Sequence, residues 1–203
     1  FRRSPQFVGF SCYIWNISLI RSLIPDLVRI LPGVPIWLGG PEVSFDCGEI
    51  LRTMPQVKGI MRGEGEETFA SLAQLYEETK MAPSDLQLSA IDGISFRGED
   101  GEIIETPDRE PLALDRIPFY YKDIPPEQME HRIVYYESSR GCPFSCAYCL
   151  SSVEKGLRFR SLSKVLEELD YFLEQKVPQV KFIDRTFNCK KSHAMAIWNH
   201  ILE

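Results

Sequence analysis

No apolar stretch in this 203-residue chain approaches the length of a membrane span. The longest, around Ile20 to Leu31, is interrupted by Arg21, Pro25, Asp26 and Arg29, so a membrane partner is not expected. A secretory leader is not legible either. Nor is there a basic stripe of the kind that tracks a nucleic-acid backbone. The formal net charge is −6, and it is unevenly spread. Residues 1–80 hold 8 basic and 9 acidic side chains, residues 81–130 hold 4 and 12, and residues 131–203 hold 11 and 8. Only the last third is mildly positive, so a tRNA or other nucleic-acid substrate is not favoured.

What is present suits packed cores. The apolar fraction of 44% is ample for one large or two small domains. The chain begins at Phe1 and its last residues, Ile201-Leu202-Glu203, lie inside a helical pattern; the expectation is a piece of a longer protein with both ends missing. Six cysteines could mean disulfides in a secreted protein. Three of them share one short motif, however, and Cys12, Cys47 and Cys189 are isolated in apolar surroundings, which points to a reducing, low-oxygen cytoplasm.

Periodicity divides the chain into three. In residues 1–80, apolar strands at Gln6–Ser11, Val34–Leu38 and Val57–Met61 alternate with helical patterns. The first helix carries Ile20, Leu23, Ile24, Leu27, Ile30 and Leu31 on one face, kinked or restarted at Pro25. The second covers about Phe45–Met54. The third has Phe69, Leu72, Leu75 and Tyr76 inward, with Glu66 and Glu67 in its dipole-favoured first turn. This order predicts a parallel sheet with covered faces. Ligands bind such sheets at the carboxyl ends of the strands, where Ser11, Gly39-Gly40 and Gly63-Glu64-Gly65 fall. Glycine there either admits a flat ligand close to the backbone or makes a tight turn.

Residues 81–130 read as an acidic hairpin and linker: Ile94–Arg97 and Glu102–Thr106 flank Gly98-Glu99-Asp100-Gly101, and prolines around Leu112–Ile117 suggest an extended tether. Residues 131–203 return to strand and helix. Arg132–Glu137 is an apolar strand. A helix capped by Ser161 or Ser163 turns Val165, Leu166, Leu169, Phe172 and Leu173 inward. Gln179–Asp184 is the next strand, and a closing helix shows Ala194, Ile197, Ile201 and Leu202 on one stripe. His193 and His200 on that helix read as ordinary surface or core positions.

Between the first two of those elements runs Ser138-Ser139-Arg140-Gly141-Cys142-Pro143-Phe144-Ser145-Cys146-Ala147-Tyr148-Cys149-Leu150. Three thiolates on one loop invite a metal. Structural zinc closes with four ligands, which would call on Cys189 or a histidine, whereas a cubane cluster can be held at three irons and leave the fourth open. Three unrelated buried cysteines are the remaining reading.

The Cys-x3-Cys-x2-Cys spacing, with Tyr148 directly before Cys149, resembles the cluster-binding signature of radical S-adenosylmethionine enzymes. The resemblance implies a 4Fe–4S cluster on Cys142, Cys146 and Cys149, whose open iron chelates S-adenosylmethionine. It also implies one-electron cleavage to a deoxyadenosyl radical, fed by a reductant such as flavodoxin or ferredoxin. Tyr148 would lie beside the adenine. Asp184 stands where many members have an acidic residue for the amino group, although the commoner Gly-Gly-Glu form is absent; a helix cap or a pair for Arg185 is the other reading. Arg160 is taken as a partner for the methionine carboxylate, because a guanidinium fork matches a carboxylate, while Arg158 reads as exposed.

The front half resembles the cobalamin-binding domain that precedes many of these enzymes. The residues that carry this are Ser11-Cys12-Tyr13, followed at the family's interval by Gly39-Gly40-Pro41-Glu42 and then by Gly63-Glu64-Gly65-Glu66. Tyr13 stands where Leu is usual. No Asp-x-His-x-x-Gly ligand motif is visible, the first histidine being His131. Ser11, Gly39, Gly40, Gly63 and Gly65 are the implied cobalamin contacts. The expected fold is therefore α/β: a partial Rossmann-like, cobalamin-binding-type parallel sheet, then the first units of a radical-enzyme partial (β/α) TIM-like barrel. The implied reactions are methylation of an unactivated carbon, methylthiolation or a cyclisation. A front domain that has lost cobalamin and serves as a scaffold is the second expectation, and a non-catalytic zinc-binding module the third.

Overall fold

The first strand, β1 (Val8–Ser11), lies parallel to β2 (Ile36–Gly39), which lies parallel to β3 (Gly59–Met61), with Ser11 opposite Gly39 and Gly39 opposite Met61. The computed structural model describes residues 5–152 and 156–202, and the chain forms two compact units, Phe1–Pro111 and Leu112–Glu203. Among the described residues no helix is long and apolar enough to cross a membrane.

In the first unit, helices α1 (Ile17–Ile30), α2 (Cys47–Thr53) and α3 (Gly65–Glu78) follow β1, β2 and β3. β2 is buried throughout, as expected for a strand covered on both faces. Trp37 on β2 crosses β3 at Gly59, where a Cβ would stand 2.4 Å from the indole, and its Nε1 donates to Tyr76 Oη on α3 at 3.0 Å. That contact fixes α3 on the sheet. The helix faces are narrower than their apolar pattern suggests. Ile20 and Ile24 are buried in α1, but Leu23 and Ile30 are exposed, as is Phe69 on α3. Pro25 sits inside α1 without ending it; it lies on the exposed side, where solvent can reach the carbonyl that loses its backbone donor.

A short helix α4 (Asp85–Leu88), closed by a Ser84–Gln87 capping box, leads into the hairpin β4 (Ile94–Arg97) and β5 (Ile103–Glu105). The hairpin does not stand apart as a connector. β4 pairs antiparallel with β3 and β5 with β4, extending one five-stranded sheet in the order β1-β2-β3-β4-β5. Burial of Ile94 and Phe96 against Trp37, Leu72 and Tyr76 is the reason.

The second unit begins with three 3-10 turns, Leu114–Arg116, Tyr120–Asp123 and Pro126–Gln128. The Leu112–Ile117 stretch read from sequence as an extended tether thus holds a turn, with Leu112 and Leu114 buried, and the rest of the expected linker folds back: Tyr121 and Met129 are buried with Val134, Tyr136, Val165, Leu169, Phe172 and Ile197. Strand β6 (Val134–Tyr136) is followed by the hairpin β7 (Ser139–Cys142) and β8 (Gly156–Phe159), then helix α5 (Leu162–Glu174). Strand β9 (Val180–Phe182) pairs parallel with β6, and helix α6 (Lys191–Leu202) closes the unit. Neither serine caps α5 with its side chain. Instead Asp115 Oδ1 accepts from Ser161 N–H at 2.8 Å, and that bond holds the Asp115 carboxyl below the usual carboxylate range. Leu173 and Leu202 are exposed rather than inward.

Candidate functional site

The cysteine motif spans a β-hairpin. β7 and β8 pair antiparallel with Ser139 opposite Phe159, Arg140 opposite Arg158, Gly141 opposite Leu157 and Cys142 opposite Gly156. Cys142 therefore ends β7, and Cys146 and Cys149 lie in the connection beyond it. Gly141 has φ +97°, and a Cβ on it would stand 2.0 Å from the Gly156 carbonyl oxygen, so only glycine lets the strands close here. Beyond the pinch, Cys149 N–H donates to Cys146 C=O at 3.1 Å, a tight turn that joins the last two cysteines of the motif. Cys142 and Cys149 are half-buried, Cys146 is exposed, and none of the six cysteines is in a disulfide.

The Cys142 sulfur lies 3.5 Å from Thr186 Oγ1. That hydroxyl, then the Phe144 N–H and more weakly Arg185, hold the thiol below its ordinary pKa. Tyr148 is 93% exposed, so it is available to a ligand. Among the described residues no three His, Cys, Asp or Glu side chains are gathered around the position of one metal ion. In a cubane, each thiolate binds a different iron, so the three sulfurs need not converge on one point. Three thiols on an accessible tip are the donor set an iron–sulfur cluster uses, and the residues fit that group.

The root of the hairpin is held by two acidic side chains. Asp184, just after β9, accepts from Ser138 Oγ at 2.7 Å, Ser139 Oγ at 2.5 Å and Ser138 N–H at 3.2 Å. Arg160, just after β8, requires a correction. It is only 6% exposed, and its guanidinium donates to Glu168, to Leu114 C=O and to Ile117 C=O at 3.0 Å. A group so occupied inside the core does not pair the methionine carboxylate. Arg158 likewise donates to Leu112 C=O at 2.6 Å. Tyr136 Oη donates to Glu168 Oε2 at 2.6 Å, and burial with Glu168 beside it pushes the phenol far above its usual range. Glu168 and the pair Ser138–Ser139 escaped sequence reasoning. Glu168 had a signal, since it shares the inward stripe of α5 with Val165, Leu169 and Phe172.

On α6, His193 is buried against the Phe159 ring at 4.9 Å between centroids, and His200 contacts Asp170 at 2.6 Å. Cys189 sits in the turn after β9, its N–H donating to Thr186 C=O at 3.1 Å.

In the first unit, Ser11 is exposed at the end of β1 beside Gly39 and Gly40. Cys12 N–H donates to Gly39 C=O at 2.7 Å, and Glu42 N–H to Cys12 C=O at 3.3 Å, so the two strand ends are laced together. Gly40 has φ +97° and a Cβ would meet Cys12 O at 2.7 Å. Gly63 has φ +68°, and both Gly63 and Gly65 face open space. The same rim carries an exposed stacked pair, Tyr13 and Trp15, with centroids 4.6 Å apart. These five positions lie at the carboxyl ends of β1, β2 and β3, where Ser11, Gly63 and Gly65 are exposed, Gly40 is half-buried and Gly39 is buried.

Comparison with known proteins identifies the class. Residues 1–73 match the B12 binding domain. The chain is 32% identical over 204 residues, 95% of its length and 42% of the relative's, to the uncharacterized methyltransferase PH0819 of Pyrococcus horikoshii. It is 26% identical over 167 residues, 79% of its length and 28% of the relative's, to the anaerobic magnesium-protoporphyrin IX monomethyl ester cyclase of Rubrivivax gelatinosus. In structure, it resembles the cobalamin-dependent S-adenosylmethionine radical enzyme OxsB, solved with aqua-cobalamin and S-adenosylmethionine. The TM-score is 0.74 at 21% identity, covering all of this chain and 29% of that one. The chain thus joins a cobalamin-binding-type domain to a radical-enzyme-like fold. It spans less than half the length of the curated relatives it matches.

Proposed function

We propose that this chain is part of a cobalamin-dependent radical S-adenosylmethionine enzyme, and that Cys142, Cys146 and Cys149 hold its 4Fe–4S cluster. The observation that carries the reading is the hairpin: three reduced thiols on an accessible tip, beyond a glycine pinch, on a root fixed in the core. When bound, the cluster supplies the electron that cleaves S-adenosylmethionine, and cobalamin supplies a methyl-carrying cobalt. The chain's own part is binding and orientation. Tyr148 offers an exposed ring and backbone to the adenine. Ser11, Gly40, Gly63 and Gly65 offer the corrin open backbone at the carboxyl ends of the strands, with the buried Gly39 at the end of β2 between them. A reducing cytoplasm and a flavodoxin- or ferredoxin-type reductant complete the reading. Methyl transfer is the reaction favoured, because a methyltransferase is the relative matched over most of the chain at 32% identity; ring closure, after the cyclase, is the second outcome.

Anaerobic reconstitution of the full-length protein with iron and sulfide is the test. About four irons per chain are expected, with S-adenosylmethionine cleaved on reduction and loading lost in Cys142→Ala, Cys146→Ala and Cys149→Ala. A single zinc and no iron would end the proposal. A cobalamin absorption band on the purified protein is expected too; iron without that band leaves the scaffold reading of the front domain.

A further inference from the structure

Asp184 was assigned, by resemblance, to the amino group of S-adenosylmethionine. We infer instead that Asp184 is a positioning residue, which fixes the root of the cysteine hairpin through Ser138 and Ser139. The clamp is read from geometry alone; its consequence for cluster and cofactor placement rests on the proposed function.

The acceptor count supports this. A carboxylate has about four acceptor sites, two on each oxygen. Oδ1 fills both of its own with the hydroxyls of Ser138 and Ser139, at 2.7 and 2.5 Å. Oδ2 takes Ser138 N–H at 3.2 Å. Three of the four sites are thus taken up by the first residues of the hairpin, so holding that root is this carboxylate's main work. The serines in turn need this acceptor. They are only 1% and 2% exposed, and a buried hydroxyl without a partner is costly.

The clamp also sits where it governs the loop. Ser138 joins β6 to β7, and its carbonyl accepts Arg160 N–H at 2.9 Å from the far strand of the hairpin. One residue therefore receives β9 through Asp184 and β8 through Arg160. Two residues beyond Asp184, Thr186 Oγ1 reaches Cys142 Sγ at 3.5 Å. The end of β9 thus touches the hairpin at its root and at its first cysteine, so loosening Asp184 changes the position from which Cys142 projects.

The test starts with the protein before any cluster is added. Amide hydrogen exchange is measured across residues 139–142 and 157–160 in the wild type, Asp184→Asn, the Ser138→Ala/Ser139→Ala pair and the triple variant. Asn keeps the volume but cannot accept from all three donors. Exchange is expected to rise about tenfold in Asp184→Asn and in the serine pair alike, with no further rise in the triple variant. Amides of α5 should stay protected, which separates a loosened hairpin from an unfolded chain; Ser139→Ala alone is the milder probe if they do not. After anaerobic loading, the electron paramagnetic resonance signal of the cluster without S-adenosylmethionine should broaden equally in both variants, and cofactor affinity should fall equally. The inference is overturned if Asp184→Asn weakens S-adenosylmethionine binding while hairpin exchange and the cofactor-free signal match wild type and the serine pair binds normally. If the wild type takes up no iron cluster, the proposed function fails, and the exchange data still decide the clamp.

Discussion

Replacing Glu168 by Ala should destabilise the second unit more than any surface change could. The Arg160–Glu168 pair has side chains only 7% and 6% exposed, and Glu168 also accepts from Tyr136 Oη. In Glu168→Ala the guanidinium keeps only the carbonyls of Leu114 and Ile117 as hydrogen-bond partners, and its buried charge is offset only by the weaker field of the Asp115 carboxylate. Removing one partner of a buried pair costs about 3–5 kcal/mol, and the orphaned phenol adds to that without being additive. Against a typical domain stability of about 5–15 kcal/mol, this leaves the unit near the edge of folding. The assay is hydrogen exchange of the α5 amides, which reads the second unit without interference from the first. Glu168→Gln, which keeps the shape and one acceptor, should lose less. Replacing all three members, Tyr136→Phe with Arg160→Met and Glu168→Leu, should recover most of the loss, because apolar side chains of similar volume often serve as well as a buried pair. Recovery stays incomplete because the two carbonyls lose their donor. A loss below about 1 kcal/mol in Glu168→Ala, the range of an exposed pair, would refute the argument that the network carries its charge inside the core.

Gly141→Ala should cost about 1–3 kcal/mol in local strain, because of its φ of +97° and the 2.0 Å approach to Gly156 O; iron loading should fall to the level of Cys142→Ala, measured by iron and sulfide content. Gly40→Ala, with φ +97° and Cβ 2.7 Å from Cys12 O, should destabilise the first unit by a similar amount of about 1–3 kcal/mol and abolish cobalamin uptake while leaving iron loading intact; wild-type cobalamin binding in that variant would remove Gly40 from the proposed rim. His193 gives a pH dependence. Burial first, then the Lys190 ammonium, hold it below the ordinary imidazole range, with Asp184 pulling the other way. The unfolded chain therefore takes up the proton first as pH falls. Stability of the second unit should drop below about pH 6.5 and level off once the folded-state value is passed. His193→Phe should flatten that slope, and an unchanged slope would assign it to another group.

Strand and helix order was legible because apolar runs and their glycine stops dominate the signal: β1 and β3 fall within the stretches expected, β2 runs one residue past its own to Gly39, and the Ile94–Arg97 hairpin was read correctly. What escaped was set by long-range partners. Ser-Arg-Gly-Cys shows no alternation of apolar and polar residues, and Leu157-Arg158-Phe159 alternates over too few positions to mark a strand, so the β7–β8 pairing has no sustained period to read. Prolines around Leu112–Ile117 suggested a tether, yet just beyond it Phe119 and Tyr121 pack edge-on against Phe172 at 5.2 and 5.1 Å, and aromatic burial outweighed the local preference for an extended chain. Arg160 was misread because a guanidinium after a ligand loop looks like a ligand contact. Its partner lies on the next helix, at a stripe position where a glutamate has reason to be only if a cation is buried beside it.

The three thiols and the ionic side chains Asp184, Glu168 and Arg160 of the second unit divide one task. An iron–sulfur cluster needs ligands accessible enough to receive iron and sulfide, which is why Cys146 and Tyr148 lie exposed. A loop so open has few contacts of its own to hold it, and low contact density means low local stability. Its geometry must then come from the root, where apolar packing alone specifies register weakly for strands lacking a buried face. Directional hydrogen bonds supply what packing does not. Asp184 binds the first residues of the hairpin to the end of β9, and Glu168 binds the residue after β8 to α5 through Arg160. Each strand of the hairpin is therefore tied at its root to a different element of the core. A slip of one residue along β7 would leave the Asp184 carboxylate facing the wrong hydroxyls and break the Arg160 N–H bond to Ser138 C=O. The cost of those buried mismatches, rather than any contact made by the loop, keeps Cys142 at the end of β7 where it can face its two partners.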